Sequence, residues 1–268
     1  MAEQVLEIHP FNLPLWLGGL AWMLLGRDGR RFRALGIGYL VCLLILTAQR
    51  SKPYYLGPAY PMVLAAGAVA TERLLEVRGW PWGRPIVLAL LALGGILTAP
   101  LAVPVLPVEG LIAYQRALGL APRPAENSAL GPLPQYFADR FGWQEMTAAV
   151  AQVYLSLPAA ERREVVIIAD NYGEAGALRY YGRRLGLPAA VSPHNNFYFW
   201  GPGREQASLA IVVGVSTERL RGLCEELEVV GRVESPYAMP LETRNPIHLC
   251  RGLKVPLAEA WRRARHFI

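Results

Sequence analysis

Two stretches of this 268-residue sequence concentrate side chains able to handle charge or hydroxyl groups. The first is RSKPYYLGPAYP at 50–61, where Arg50 and Lys52 stand beside Tyr54 and Tyr55 among Pro53, Pro58 and Pro61. Two bases, two adjacent tyrosines and three prolines between apolar runs make either a turn between two buried helices or a site at the edge of a membrane. The same residues also describe an interface anchor, with a snorkelling lysine and headgroup-level tyrosines. The second is SPHNNFYFWGPG at 192–203, which sets His194, Asn195 and Asn196 beside Phe197, Tyr198, Phe199 and Trp200. Rings with adjacent amides suit a sugar, which has an apolar face and a hydroxyl rim. They equally suit docking on a membrane interface or on the chain's own helices. Both readings stand at this point.

Between these stretches lies VVIIADNYGEAGAL, in which Asp170 and Glu174 are four positions apart. Two carboxylates near one strand end could serve as acid and base. The plainer reading is a βα turn in which Asp170 or Asn171 caps the helix. The strand–turn–helix order resembles a phosphate-binding helix start, but neither a G-x-G-x-x-G nor a P-loop pattern is present. His9, His194, His248 and His266 show no paired ligand spacing, so no metal is expected, and no other cofactor is implied.

The elements that must position these residues fall into two halves. The composition is 53% hydrophobic and 18% charged, with a mean hydropathy of +0.24. Soluble domains carry about 25% charged residues, and here the deficit is concentrated in residues 1–108. Four apolar runs, near 10–25, 34–48, 56–75 and 85–105, predict a membrane α-helical segment of about four transmembrane helices. A span needs about 20 mostly apolar residues, and the first two runs are shorter. Trp16, Trp22, Trp80 and Trp82 suit interfacial belts, and Pro58 and Pro61 break the start of the third helix. Arginines 27, 30, 31 and 33 in the first gap and 73, 78 and 84 in the third place those gaps in the cytoplasm. The 50–61 stretch, residue 1 and everything after the fourth helix are then expected outside. That start, with no signal peptide, is what the C-terminal piece of a longer polytopic protein would show, the alternative being a genuine N-out protein.

Residues 109–268 read as a small extracytoplasmic α/β domain. Strands are predicted at 164–170, 207–215, 228–235 and 246–252. Helices are predicted at 142–158, 171–188 and 216–228, and a basic amphipathic one at 258–268. Cys224 and Cys250 could pair if this half faces an oxidising compartment, though sequence does not show that they meet. Cys42, inside an apolar run, reads as a packing residue. The net charge of +6 comes from bases flanking apolar runs, not from one stripe beside exposed aromatics, which argues against nucleic acid.

The stretch RSKPYYLGPAYPMVLAAGA resembles the Lys-Pro-Tyr-Tyr-Leu-x-Pro-x-Tyr-Pro segment of bacterial membrane glycosyltransferases. These belong to the dolichyl-phosphate-mannose protein mannosyltransferase class, a group that includes the aminoarabinose transferases. LPQYFADRFGWQEM, NYGEAGALRYYG, SPHNNFYFWGPG and SPYAMPLE…PIHLCRG are similar to the C-terminal extracytoplasmic domain of a prokaryotic branch of that family. The resemblance implies a GT-C architecture in the plasma membrane and transfer from a polyprenyl-phosphate-linked sugar to an extracytoplasmic acceptor. It implies that Tyr55, with Tyr54 and Lys52, meets the carrier phosphate; Tyr60 has no role implied. It leaves His194, Asn195, Asn196, Tyr198, Trp200, Asp170 and Glu174 as candidate sugar or acceptor contacts. The family's catalytic acid, an Asp in the first outer loop, has no counterpart here. The expected partners are therefore the bilayer, the lipid-linked sugar, and a missing N-terminal half or a partner membrane subunit. From a different class comes the alternative of a noncatalytic, membrane-anchored glycan- or partner-binding protein. A soluble nucleotide-binding enzyme would leave the four apolar runs unexplained.

Overall fold

The computed structural model describes residues 2–120, 122 and 129–267, and the chain divides into two compact units, Met1–Gly119 and Leu120–Ile268. The first unit is helical: α1 (Ala2–Glu7), α2 (Leu13–Leu25), α3 (Arg33–Ala48), α4 (Tyr60–Val77), α5 (Gly83–Ala102) and α6 (Val108–Ala117). Helices α2 and α4 touch backbone to backbone. A Cβ on Gly67 would run into the Leu15 carbonyl, and one on Gly19 would lie 2.7 Å from the Gly67 amide nitrogen. Only residues without a side chain permit that approach. Trp16, Tyr39, Leu43, Leu56 and Val63 are buried around this contact. The Trp16 indole donates to the Tyr39 hydroxyl at 2.8 Å, so Trp16 belongs to the helix core and not to an interfacial belt.

The expectation of about four transmembrane helices does not hold. Two segments are long and apolar enough to cross a membrane, 30–48 and 83–102; that at 10–25 is apolar but shorter. The third expected span fails on charge: α4 carries Glu72, Arg73 and Glu76 in its last turns. There Arg84 pairs with Glu72 and with Glu76, at 3.1 Å to the latter, and Arg73 pairs with Asp28. With two qualifying helices, the count of basic residues over three gaps no longer orients the chain. The two that qualify keep their apolar side chains outward. Only 17% of the α3 span and 6% of the α5 span are buried.

The second unit turns its apolar residues inward. It contains α7 (Gln135–Ala138), α8 (Trp143–Ser156), α9 (Ala159–Glu164), β1 (Val166–Ala169), α10 (Tyr172–Gly182), β2 (Leu209–Val213), α11 (Thr217–Leu220), β3 (Cys224–Arg232), β4 (Pro246–Leu253) and α12 (Leu257–Ala264). The four strands form one mixed sheet in the order β1-β2-β4-β3. β1 runs parallel to β2, with Ile167 beside Ile211, and β4 runs antiparallel to both β2 and β3. Alternate residues serve opposite faces. Ile167, Ile211 and Leu249 pack under Val150 of α8 and Leu178 of α10. Val166, Ala210 and Val212 pack with Leu220, Leu257 and Trp261 on the other side. Every residue of β2 is therefore buried, as expected of an inner strand covered on both faces.

Two sequence expectations change here. The helix expected at 216–228 is a single turn followed by β3, which reaches back to Cys224. Helix-forming Leu and Glu residues lose to cross-strand pairing, with Leu227 opposite Cys250 and Glu226 opposite Arg251. The basic terminal helix packs on the domain through Leu257 and Trp261. Cys224 and Cys250, 26 positions apart, form a disulfide between β3 and β4 inside the second layer.

Candidate functional site

The 50–61 stretch lies in the helical unit and is shaped by the way α3 stops. Arg50 takes φ +51°. Its amide donates to the Thr47 carbonyl at 3.1 Å, and the Ser51 amide donates to Leu46 at 2.9 Å. This is the paired closure of a Schellman motif, whose left-handed position is normally glycine. The chain leaves it into a 3-10 helix, Pro53–Ala59, that leads directly into α4. Leu56 and Tyr60 turn inward and are buried; the Tyr60 hydroxyl donates to the Gln4 side chain. Tyr54 and Tyr55 turn outward, 51% and 52% exposed, with ring centroids 5.1 Å apart, edge to face. The Lys52 ammonium lies 5.9 Å from the Tyr54 ring centroid. One cation and two outward phenols thus share a single turn. Tyr60, the third tyrosine of the motif, has its hydroxyl engaged.

In the α/β unit, Asp170, Glu174 and His194 meet at one edge of the sheet. Asp170 follows β1 and donates its amide to Val213 at the end of β2. The C-terminal ends of two parallel strands therefore open there, where α/β sheets commonly hold ligands. The side chains are occupied by structural bonds. Asp170 pairs with Arg219 at 3.0 Å. Asn171 is the N-cap of α10; its side chain accepts from the Glu174 amide at 2.9 Å, and Glu174 reaches back to the Asn171 amide at 3.3 Å. This reciprocal pair is a capping box. Asn245 donates to the other Glu174 oxygen at 3.2 Å. Gly214, at φ +81°, makes the carboxylate's room: a Cβ there would lie 2.5 Å from both oxygens.

Glu174 is 1% exposed, and burial pushes its carboxyl up to about 7 despite those hydrogen bonds. Glu242 lines the same tight recess as Glu174, together with Phe141, Gly142, Trp143 and Met146. Burial, then the charges of Asp139 and Glu174, push that carboxyl up to about 7 as well. His248 is fully buried on β4, its Nε2 2.9 Å from the Thr217 hydroxyl. Burial, then Arg232, lowers its pKa.

The aromatic loop begins where Val191 bridges to Ile168 at the free edge of β1. His194 is buried, accepts from the Tyr172 amide at 3.4 Å and stacks on His266 at 4.5 Å. Burial and that second imidazole hold its pKa below the usual value. Asn195, at φ +49°, turns the chain into the 3-10 helix Asn195–Trp200, its amide donating to the His266 carbonyl at 3.0 Å. Tyr198 stacks on Trp261, and its carbonyl accepts from the indole at 3.1 Å. Asn196, Phe199 and Trp200 are left outside. Among the described residues no group of three His, Cys, Asp or Glu side chains could hold a metal ion.

Arg219, Asn245, Glu242 and His266 were not candidates from sequence. They belong to no local motif and reach the edge only through tertiary contact. No family model, curated protein or solved structure matches the chain.

Proposed function

We propose that this chain is the C-terminal portion of an integral membrane glycosyltransferase, moving a sugar from a polyprenyl-phosphate donor to an extracytoplasmic acceptor. The observation that carries the reading is the 50–61 turn, where Lys52, Tyr54 and Tyr55 project together from a backbone held in an unfavourable conformation at Arg50. In such a transfer the sugar C1–oxygen bond to the phosphate breaks, and the phosphate keeps the bonding pair. An ammonium and two phenolic donors would stabilise that charge. Two further features support the setting. The α3 and α5 spans present apolar surface that needs apolar surroundings. The Cys224–Cys250 disulfide of the α/β unit is of a kind that forms and persists in oxidising compartments, which supports an extracytoplasmic setting. No residue of this chain is assigned as the base that takes the acceptor's proton.

The test is polyprenyl-phosphate binding by the purified chain, which does not depend on the missing acid. Hydrogen bonds to charged groups are worth about 1.5–3 kcal/mol, so Tyr55→Phe and Lys52→Ala should each weaken binding by roughly tenfold or more. Unchanged binding in both variants would leave the turn as an interface anchor.

A second reading, a noncatalytic membrane-anchored glycan-binding protein, is favoured by one observation. Asp170 and Glu174 are occupied by Arg219, Asn171 and Asn245 and are not poised for proton transfer. Glycan binding by the chain that is indifferent to Lys52 and Tyr55 would select it.

A further inference from the structure

The two outer rings of the aromatic loop are not alone on the surface. Phe199 is 69% exposed and Trp200 62%, and the chain terminus brings Phe267, 53% exposed, to the same place. The ring centroids of Phe199 and Phe267 are 6.0 Å apart. Trp200 rests on Phe197 at 4.4 Å, so its ring is held. Each end of the patch carries a guanidinium lying over a ring. Arg179 of α10 sits 4.8 Å from the Trp200 centroid, and Arg265 sits 5.7 Å from Phe267 and 5.5 Å from Tyr198. Arg262 and Arg263 in the last turn of α12 are also exposed, and Arg263 pairs with Glu259.

Three elements distant in sequence therefore converge on one face: the end of α10, the 195–200 turn and the tail after α12. The His194–His266 bridge and the Tyr198–Trp261 stack fix that convergence. A sugar site would offer amides and hydroxyls beside the rings. Here the Asn195 main-chain amide is bonded to the His266 carbonyl, His194 is buried and Tyr198 is stacked on Trp261. Asn196 is therefore the exposed amide of the turn, and the charged groups lying over the rings are guanidiniums. Exposed Trp and Phe between arginines match a bilayer interface, where rings lie at headgroup depth and cations meet lipid phosphates.

We propose that this face of the α/β unit, formed by Phe199, Trp200, Phe267, Arg179 and Arg265, seats on an anionic phospholipid surface. The phosphates take the two guanidiniums, and the three rings enter the headgroup region. The inference stands apart from sugar transfer and concerns only what this face rests on.

The test is amide hydrogen exchange on the full chain in phosphatidylcholine nanodiscs, with and without phosphatidylglycerol. Exchange at 195–201 and 265–267 should slow in the anionic discs, and high salt should reverse the effect. A basic residue near such a surface contributes about 1 kcal/mol, or ~5-fold. Arg179→Ala and Arg265→Ala should each therefore cut the protection roughly 5-fold, while β2 amides, which report the fold, keep their rates. Phe199→Ser with Trp200→Ser should remove the protection with the arginines intact. Equal exchange in both kinds of disc would overturn the proposal. So would protection that appears only on adding a soluble oligosaccharide, which would assign the face to glycan.

Discussion

Helix α5 and strand β2 are both apolar runs, and they place their side chains in opposite ways. In α5, Leu88 and Ile96 are 66% and 70% exposed; in β2 all five residues are buried between two helical layers. Hydrophobic content alone does not separate these cases. The contrast lies in what covers each element: β2 has α8 and α10 on one face and α12 on the other, whereas α5 is covered over 6% of its span. The unit that buries its apolar residues also buries an ionisable carboxyl, at Glu174, and joins two strands by a disulfide. The unit that exposes them carries the charges of α4, Glu72, Arg73 and Glu76, in that helix's last turns. One unit encloses its apolar residues, and the other, outside its own α2–α4 core, leaves many of them uncovered.

The largest expected effect should appear in one unit only. Replacing Cys224 and Cys250 by serine opens a loop of 26 residues. The chain-entropy relation gives roughly 3.5 kcal/mol for closing it. Exchange at β3 and β4 amides should accelerate accordingly, with α2 and α4 unaffected. An equal loss in both units would break the comparison.

Next is the buried carboxylate, with an expected effect of about 3 kcal/mol. A carboxyl raised from 4.5 to about 7 binds its proton more tightly when folded. Its contribution is complete below about pH 4.5 and is lost as pH rises through about 7. At about 1.4 kcal/mol per pH unit, the α/β unit should be about 3 kcal/mol less stable at pH 9 than at pH 4 on this account alone. Glu242 pulls in the same direction. Glu174→Gln keeps the capping box and the volume but carries no charge. In urea unfolding followed at β2 amides, this variant should match the parent near pH 4 and exceed it at pH 9. If the parent's stability is flat over that window, Glu174 is not held protonated.

Much of the α/β unit was legible in the sequence. β1 and β2 are short β-branched runs, and α8 and α10 have helical spacing ending at proline or glycine. β3 was not, because LCEELE is rich in helix formers and its strand state comes from pairing with β4. The edge residues were half legible. Asp170, Asn171 and Glu174 announce a capped helix start. Their partners Arg219 and Asn245 lie 49 and 71 positions away and carry no local signal. In the helical unit, hydropathy identified the apolar runs but overcounted spans, since Glu72, Arg73 and Glu76 end α4 in charge. The 50–61 stretch was legible as a motif, whereas the inward turn of Tyr60 and the outward turn of Tyr54 and Tyr55 are set by the 3-10 helix Pro53–Ala59 and carry no local signal.

The opposed burial can also be probed by one substitution in each unit. Leu93 lies mid-way along α5 at 47% exposure, and Leu185 of the α/β unit is 45% exposed. Arginine at the centre of a membrane-spanning helix costs about 2.5 kcal/mol or more, whereas an exposed surface change stays within ~0.5 kcal/mol. Leu93→Arg should reduce the carbonate-resistant membrane fraction of the chain, while Leu185→Arg should leave it unchanged. Equal, small effects would mean that α5 is in water and that its apolar face is not covered by lipid.

The smallest effect tests whether the 50–61 turn is held for a reason. Arg50 occupies the left-handed position that closes α3, at φ +51°, where a side chain costs about 1 kcal/mol relative to glycine. If the position served only to end the helix, glycine would end it better. Arg50→Gly should therefore raise the thermal stability of the helical unit by up to ~1 kcal/mol, because the Schellman bonds from Arg50 and Ser51 are made by backbone groups and survive the change. On the proposed function the same variant should weaken polyprenyl-phosphate binding, since it removes a cation two positions from Lys52. Greater stability with weaker binding would mark a strained residue kept for its ligand. Greater stability with unchanged binding would make Arg50 a tolerated helix stop and would confine any phosphate contact to Lys52 and the two tyrosines.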